Sequence, residues 1–146
     1  MKKEIQVAIG VLVRRRGDQT EVLITQRPHD RVLGGLWEFP GGKVEPGETP
    51  QQCVVREFEE ELAVVVRVLE PFEAIRHTYD HGRVCLQPFL CARVSGEPKH
   101  IEVIDHKWVT HDVLGSVTFP EANRQLVTAV RSRLVDFNDY DDIIAG

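Results

Sequence analysis

The chain has 146 residues and 16.6 kDa, 42% hydrophobic, 7% aromatic and 28% charged, a size and balance that fit one folded domain and exclude disordered, collagen-like and membrane-embedded classes. Its 18 Lys and Arg against 23 Asp and Glu leave a net charge of −5, which argues against a protein that coats a nucleic-acid polymer or adheres to anionic lipid. No apolar run approaches the ~20 residues of a bilayer span, and the basic start is followed by Glu4, Gln6 and Arg14 to Arg16 rather than by a small-residue cleavage site.

Residues 5 to 13 are β-branched and apolar, and 21 to 26 repeat that character after an Arg16-Gly17-Asp18 turn signal, so the two are expected to pair as a hairpin. From Pro28 to Gly47 three prolines and five glycines crowd a long stretch without strand or helix pattern, and an irregular loop of that length is often functional. Thr49, Pro50 and Gln52 stand as N-cap, first helical residue and capping-box partner of a helix over about 50 to 62, with Val54, Val55, Phe58 and Leu62 at helical spacing. Strand patterns follow at 64 to 69, 72 to 79, 83 to 94 and 105 to 109, with a turn at Asp80-His81-Gly82, and Pro88 predicts an edge position or a bulge in the third. A last helix fits 120 to 134, its stripe Ala122, Leu126, Val130 and Leu134 facing the core. The tail 136 to 146, with four aspartates, is expected to be loosely ordered beyond a single domain of residues 1 to 135. Strands, helix, strands, helix in that order predict an α/β fold with a mixed sheet between helices.

Cys53, Cys85 and Cys91 are odd in number and lack CxxC spacing, which suits reduced thiols of a cytoplasmic protein better than disulfides or a zinc site. Cys53, inside the first helix, reads as a buried, inert thiol. His77 and His81 have i,i+4 spacing but fall on a strand and a turn, so they are not assigned as metal ligands.

Acid is concentrated between Glu45 and Glu61. Glu57, Glu60 and Glu61 stand at i,i+3 and i,i+4, where like charges repel, and near a helix C-terminus, where the macrodipole disfavours anions. A solvated acidic face with an arginine neighbour is one reading. The other is a hard divalent cation, Mg²⁺ or Mn²⁺, which takes carboxylate and carbonyl oxygens and bridges to phosphates. Gly41-Gly42 ahead of the helix permits close backbone approach to a ligand, and Glu48 adds an acid at the helix entrance.

The stretch Gly42-x5-Glu48-x7-Arg56-Glu57-Phe58-x-Glu60-Glu61-x-Ala63-Val64 resembles the signature GX5EX7REUXEEXGU of the Nudix hydrolases. Its six fixed matches would coincide by chance in about one of 10⁷ windows at background frequencies. The one departure is Ala63, where the signature has glycine; if the helix ends in a left-handed residue there, alanine costs on the order of 1 kcal/mol. The resemblance implies an α/β/α Nudix sandwich that hydrolyses a nucleoside diphosphate linked to another group with Mg²⁺ or Mn²⁺. By position it implies Glu57, Glu60 and Glu61 as metal ligands, joined by the Gly42 carbonyl, with Arg56 orienting Glu57 and Glu48 supporting the loop.

The likeness runs to about Leu134 and is nearest to the MutT-type 8-oxo-dGTP diphosphatases, through the MKKEIQVAIGVL start, the Trp37 to Lys43 run, Gly96-Glu97-Pro98 and Phe119-Pro120-x-Ala122-Asn123. It implies that Arg27 contacts phosphate, that Lys43 and Tyr79 flank the substrate, and that Glu102 is a further metal-linked or base-like group. Arg27 is otherwise a solvated surface arginine. Oxidised guanine carries hydrogen on N7 beside the O6 acceptor, and an asparagine amide offers one acceptor and one donor. Asn123 therefore matches that edge; its alternative is to cap the last helix. Phe39 either walls a base pocket or packs in the core beside Trp37.

The resemblance thus points to a pyrophosphohydrolase releasing monophosphate and pyrophosphate, with Glu102 or a helix glutamate taking the proton. The expected partner is a small nucleotide, and the protein a monomer or weak dimer. The Trp37 to Lys43 run also resembles CTP and 5-methyl-dCTP pyrophosphatases, and a third reading is a non-catalytic module that recognises damaged guanine.

Overall fold

The computed structural model describes residues 4–31, 33–80 and 82–134; the expected tail and His81 lie outside them. Along the chain run β1 (Glu4–Arg16), β2 (Gln19–Gln26), β3 (Trp37–Glu38), β4 (Gly41–Lys43), α1 (Pro50–Leu62), β5 (Val65–Pro71), β6 (Ile75–Tyr79), β7 (Gly82–Ser95), β8 (Asp105–Val109), α2 (His111–Leu114), a 3-10 turn (Glu121–Asn123) and α3 (Arg124–Leu134). No described helix is long and apolar enough to cross a membrane.

β1 is the hub of a mixed sheet. Its first part lies parallel to β7, with Ile9 opposite Pro88, and antiparallel to β4, with Ala8 opposite Gly42; its end forms the expected hairpin with β2, Arg16 opposite Gln19. β2 continues to β8 and β3, and β7 carries β5 and β6 on its far side. Side chains alternate across such a sheet. Ile9, Val11 and Val13 therefore join Leu114, Leu126, Val130 and Leu134 on one face, while Ala8 and Leu12 join Val54, Phe58 and Leu62 of α1 on the other. The result is the α/β/α sandwich.

The seating of α1 depends on a missing side chain. A Cβ on Gly10 would lie 2.2 Å from Phe58 Cε2, so the Phe58 ring occupies the space above β1 that any larger residue would fill. The helix begins as its sequence predicts: Gln52 N–H donates to Thr49 Oγ1 at 3.1 Å and Thr49 N–H to Gln52 Oε1 at 2.9 Å.

Four local expectations need correction. The stretch 28 to 47 is not wholly irregular, because β3 and β4 pair with β2 and β1; their partners lie too far away in sequence for local patterning to reveal them. Pro88 is neither at an edge nor in a bulge of its strand. It lies in central β7 where the neighbour changes from β5 to β6, and its carbonyl accepts the Phe72 N–H at 2.9 Å. Residues 72 to 74 form that break, so β6 starts at Ile75. The last helix opens with the 3-10 turn, which places Ala122 outside the buried stripe of Leu126, Val130 and Leu134. α2 has no counterpart in the sequence reading.

Ala63 takes the conformation its sequence position implies: φ is 56° and ψ 35°, left-handed, and its N–H bonds the Glu59 carbonyl at 3.0 Å. An L-residue with a Cβ is strained there and glycine is not. Ala63→Gly is therefore expected to stabilise the protein by about 1 kcal/mol, raising Tm by roughly 2–4 °C. Thermal unfolding of both proteins checks this, and an unchanged or lower Tm would contradict it.

Candidate active site

Arg56, on α1, gathers the acids around it. Its Nε and Nη2 bond both carboxylate oxygens of Glu48 at 2.7 and 3.0 Å. Nη1 donates to Glu57 Oε1 at 2.9 Å and Glu60 Oε2 at 3.1 Å, and Nη2 to the Lys43 carbonyl at 3.2 Å. The fork holds Glu48 well below the usual carboxylate range, at about 2, mainly through these hydrogen bonds. The chain is thereby tied from β4, through the loop, to the middle of the helix.

The three helix acids are not equivalent. Glu57 is 13% exposed and Glu60 49%, so Glu60 leans on Arg56 toward solvent while Glu57 is largely enclosed. A Cβ on Gly42 would lie 2.5 Å from Glu57 Oε1, so only glycine lets β4 approach that carboxylate. The Gly42 carbonyl meets Cys53 Sγ at 3.4 Å. Cys53 is buried, and burial first and Glu48 second push its thiol up to about 12. That keeps it inert, as the sequence reading has it.

Glu61 is the most perturbed of the acids. Burial, then Glu57, Glu38 and Glu102, push its carboxyl up to about 9, against a hydrogen bond from the Gly41 backbone. Its Oε2 is buried without a hydrogen-bond partner. Glu57 is also raised, by burial first, with Glu60 and Glu102 adding to the effect and Arg56 opposing it. Glu102 arrives on the segment after β7, where its N–H and that of Ile101 both bond the Glu61 carbonyl at 3.2 Å. Sequence reasoning missed Glu38, whose pKa burial also raises and whose oxygens bond Arg27 Nη1 at 3.2 and 3.3 Å. Its place beside Glu61 follows from the pairing of β3, which no local pattern announces.

Enclosed carboxyls that raise one another's pKa, one with an orphaned oxygen, fit a hard divalent cation: it would replace the proton and supply the missing partner. Among the described residues, the group of three ligand-bearing side chains with donor atoms all within 4.8 Å of one another is His100, Asp105 and His106.

Beside this cluster opens a cleft of about 280 Å³ whose walls include Arg27, Phe39, Gly42, Lys43, Tyr79 and Asn123. Every residue assigned from sequence to substrate contact thus lines one cavity, and Gly42 joins it to the Glu57 carboxylate. Phe39 is buried in the core and also lines the cleft, stacked on Phe119 with centroids 5.3 Å apart. Arg27 faces the cleft already paired with Glu38. Asn123 sits in the 3-10 turn, where its N–H bonds the Pro120 carbonyl at 3.0 Å. No hydrogen bond of its side-chain amide is found among the described residues. His77 lines the cleft too, 4.4 Å from Tyr79 between ring centroids.

A carboxyl with a raised folded-state pKa holds a proton that the unfolded chain releases, so its contribution to stability declines as pH rises toward the folded value. For Glu61 that decline extends to about 9. With chelator present, the protein is expected to lose up to about 1.4 kcal/mol of stability per pH unit between roughly pH 7 and 8.5. Glu61→Gln should show a shallower slope in thermal unfolding. Equal slopes would contradict the assignment.

A family model described as NUDIX domain matches residues 10–129. The chain is 33% identical over 129 residues to an 8-oxo-dGTP diphosphatase of Escherichia coli, covering 88% of this chain and 98% of that one. It is 44% identical over 115 residues to an E. coli CTP pyrophosphohydrolase, covering 79% and 68%. A solved structure of MutT, from work on Aliivibrio salmonicida and Vibrio cholerae, superposes with a TM-score of 0.70 at 35% identity, covering 90% of this chain and 99% of that one. With the acidic helix, its organising arginine and the glycine approach in place, the chain belongs to the Nudix family and is a Nudix hydrolase.

Proposed function

We propose that this Nudix pyrophosphohydrolase cleaves oxidised dGTP to the monophosphate and pyrophosphate with Mg²⁺ or Mn²⁺, clearing a damaged nucleotide from the cytoplasmic pool as a monomer or weak dimer. One observation carries the reading. The Asn123 amide, with no hydrogen-bond partner among the described residues, lines the same cleft as Gly42, against which the Glu57 carboxylate packs. The name of the E. coli 8-oxo-dGTP diphosphatase supports it.

In this reading the base enters between Phe39, Tyr79 and Asn123. The Asn123 amide accepts from N7–H and donates to O6. Normal guanine would leave the amide oxygen against a lone pair, an unmatched polar contact worth about 1–3 kcal/mol. Lys43 and Arg27, on the walls of the cleft, meet the phosphates; Arg27 exchanges part of its contact with Glu38 for phosphate oxygens. Glu57, Glu60, Glu61, Glu102 and the Gly42 carbonyl would hold the cation. When bound, it supplies neutralisation of phosphate charge and Lewis acidity toward a water nucleophile. Arg56 keeps Glu57 and Glu60 oriented, and Glu102, exposed on its loop, or a helix glutamate takes the proton.

A second reading is favoured by the 44% identity to a CTP pyrophosphohydrolase: the same chemistry acting on a cytosine nucleotide. The two separate on kcat/KM ratios measured with Mg²⁺ for 8-oxo-dGTP, dGTP, dCTP, 5-methyl-dCTP, CTP and ADP-ribose. Preference for 8-oxo-dGTP is the expected result, and preference for a cytosine nucleotide would discard the base assignment. Asn123→Ala should shrink the oxidised-over-normal guanine ratio by roughly 5- to 150-fold while sparing turnover of the normal nucleotide; a retained ratio would sink the pocket assignment. Glu60→Gln should slow hydrolysis by at least about tenfold, and an unchanged rate would remove Glu60 from the site.

A further inference from the structure

The strongest unassigned feature lies on the segment from His100 to His106. His100 Nε2 and His106 Nδ1 are 2.8 Å apart, the Asp105 carboxylate accepts the His106 N–H at 2.8 Å, and donor atoms of all three side chains fall within 4.8 Å of one another. We propose that His100, Asp105 and His106 form a second metal site, distinct in chemistry from the glutamates, that takes a divalent transition ion.

Three observations support it. First, the ligand set is two imidazoles and one carboxylate, which suits Ni²⁺, Cu²⁺ or Zn²⁺ and not the hard Mg²⁺. Second, the backbone is fixed on both sides of the ligands. Lys99 N–H bonds the Leu62 carbonyl at 2.8 Å, Ile101 N–H the Glu61 carbonyl at 3.2 Å, and Ile104 N–H the Gln26 carbonyl at 3.1 Å. The donors are therefore held by α1 and β2 rather than by the surface segment alone, which lowers the ordering cost of binding.

Third, the two ring nitrogens already converge: His100 Nε2 and His106 Nδ1 share a hydrogen bond of 2.8 Å, which an ion bound between them would replace with two metal–nitrogen bonds. The ligands also bracket Glu102 in the chain, so an ion here clasps the segment that brings Glu102 to Glu61.

The test is calorimetric titration of the full chain with Ni²⁺ in a large excess of Mg²⁺, which saturates the carboxylates and leaves the imidazoles free. One Ni²⁺ per chain is expected. Removing a direct ligand should weaken it by at least the ten- to hundredfold, roughly, that losing an outer-shell partner costs, in both His100→Ala and His106→Ala. His111→Ala, whose imidazole bonds Asp112 instead, should bind as the parent does. The electron paramagnetic resonance spectrum of one equivalent of bound Cu²⁺ should show coupling to two nitrogens, lost in the double variant. Ni²⁺ binding that is absent, or that survives both substitutions unchanged, overturns the proposal. Neither readout depends on hydrolysis, so failure here leaves the nucleotide reading untouched.

Discussion

The site depends on one guanidinium. Four glutamates lie along the loop and first helix within reach of Arg56, which bonds Glu48 through two nitrogens, Glu57 and Glu60 through a third, and stands 3.7 Å from Glu45. Without a cation at that point, anions would crowd the C-terminal half of a helix where its own dipole repels them. Lysine could supply the charge but not the planar fork that grips a carboxylate at two points and a backbone carbonyl beside it. The same residue therefore makes the acidic helix tolerable and fixes which carboxylates are free. Glu61, beyond its reach, is left with an unpartnered oxygen in a buried setting.

Glycines set the distances around that arrangement. Gly10 admits the Phe58 ring and so fixes how closely α1 lies on β1, while Gly42 admits the Glu57 carboxylate against β4. β4 pairs with β1 directly beside Gly10, Ala8 opposite Gly42. The helix acids and the cleft walls are thus two outputs of the same packing. An added methyl group at either glycine would push the helix from the sheet or the carboxylate from the strand.

Much of this was legible in the sequence because it is written in short range. Thr49, Pro50 and Gln52 announce the start of α1, the spacing of Val54, Phe58 and Leu62 gives its buried face, and β1, β2 and β8 show the expected strand character. The residues assigned to substrate contact do converge on one cleft. What stayed hidden depends on partners distant along the chain. β3 and β4 are two and three residues long in a glycine-rich stretch and exist only through pairing with β2 and β1. Glu38 acquires its altered pKa from burial, and Pro88 is tolerated because its neighbour strand breaks beside it. His100 and His106 meet only because the chain folds back onto α1 and β2.

If the enclosed glutamates hold a divalent cation as proposed, the ion takes the place of a proton on Glu61. Calorimetric titration with Mg²⁺ near pH 7.5, repeated in buffers of different ionisation enthalpy, measures that exchange directly. The account predicts binding with release of about one proton per ion, and Glu61→Gln binding more weakly with little release. Binding without proton release, or with equal affinity in Glu61→Gln, would contradict it.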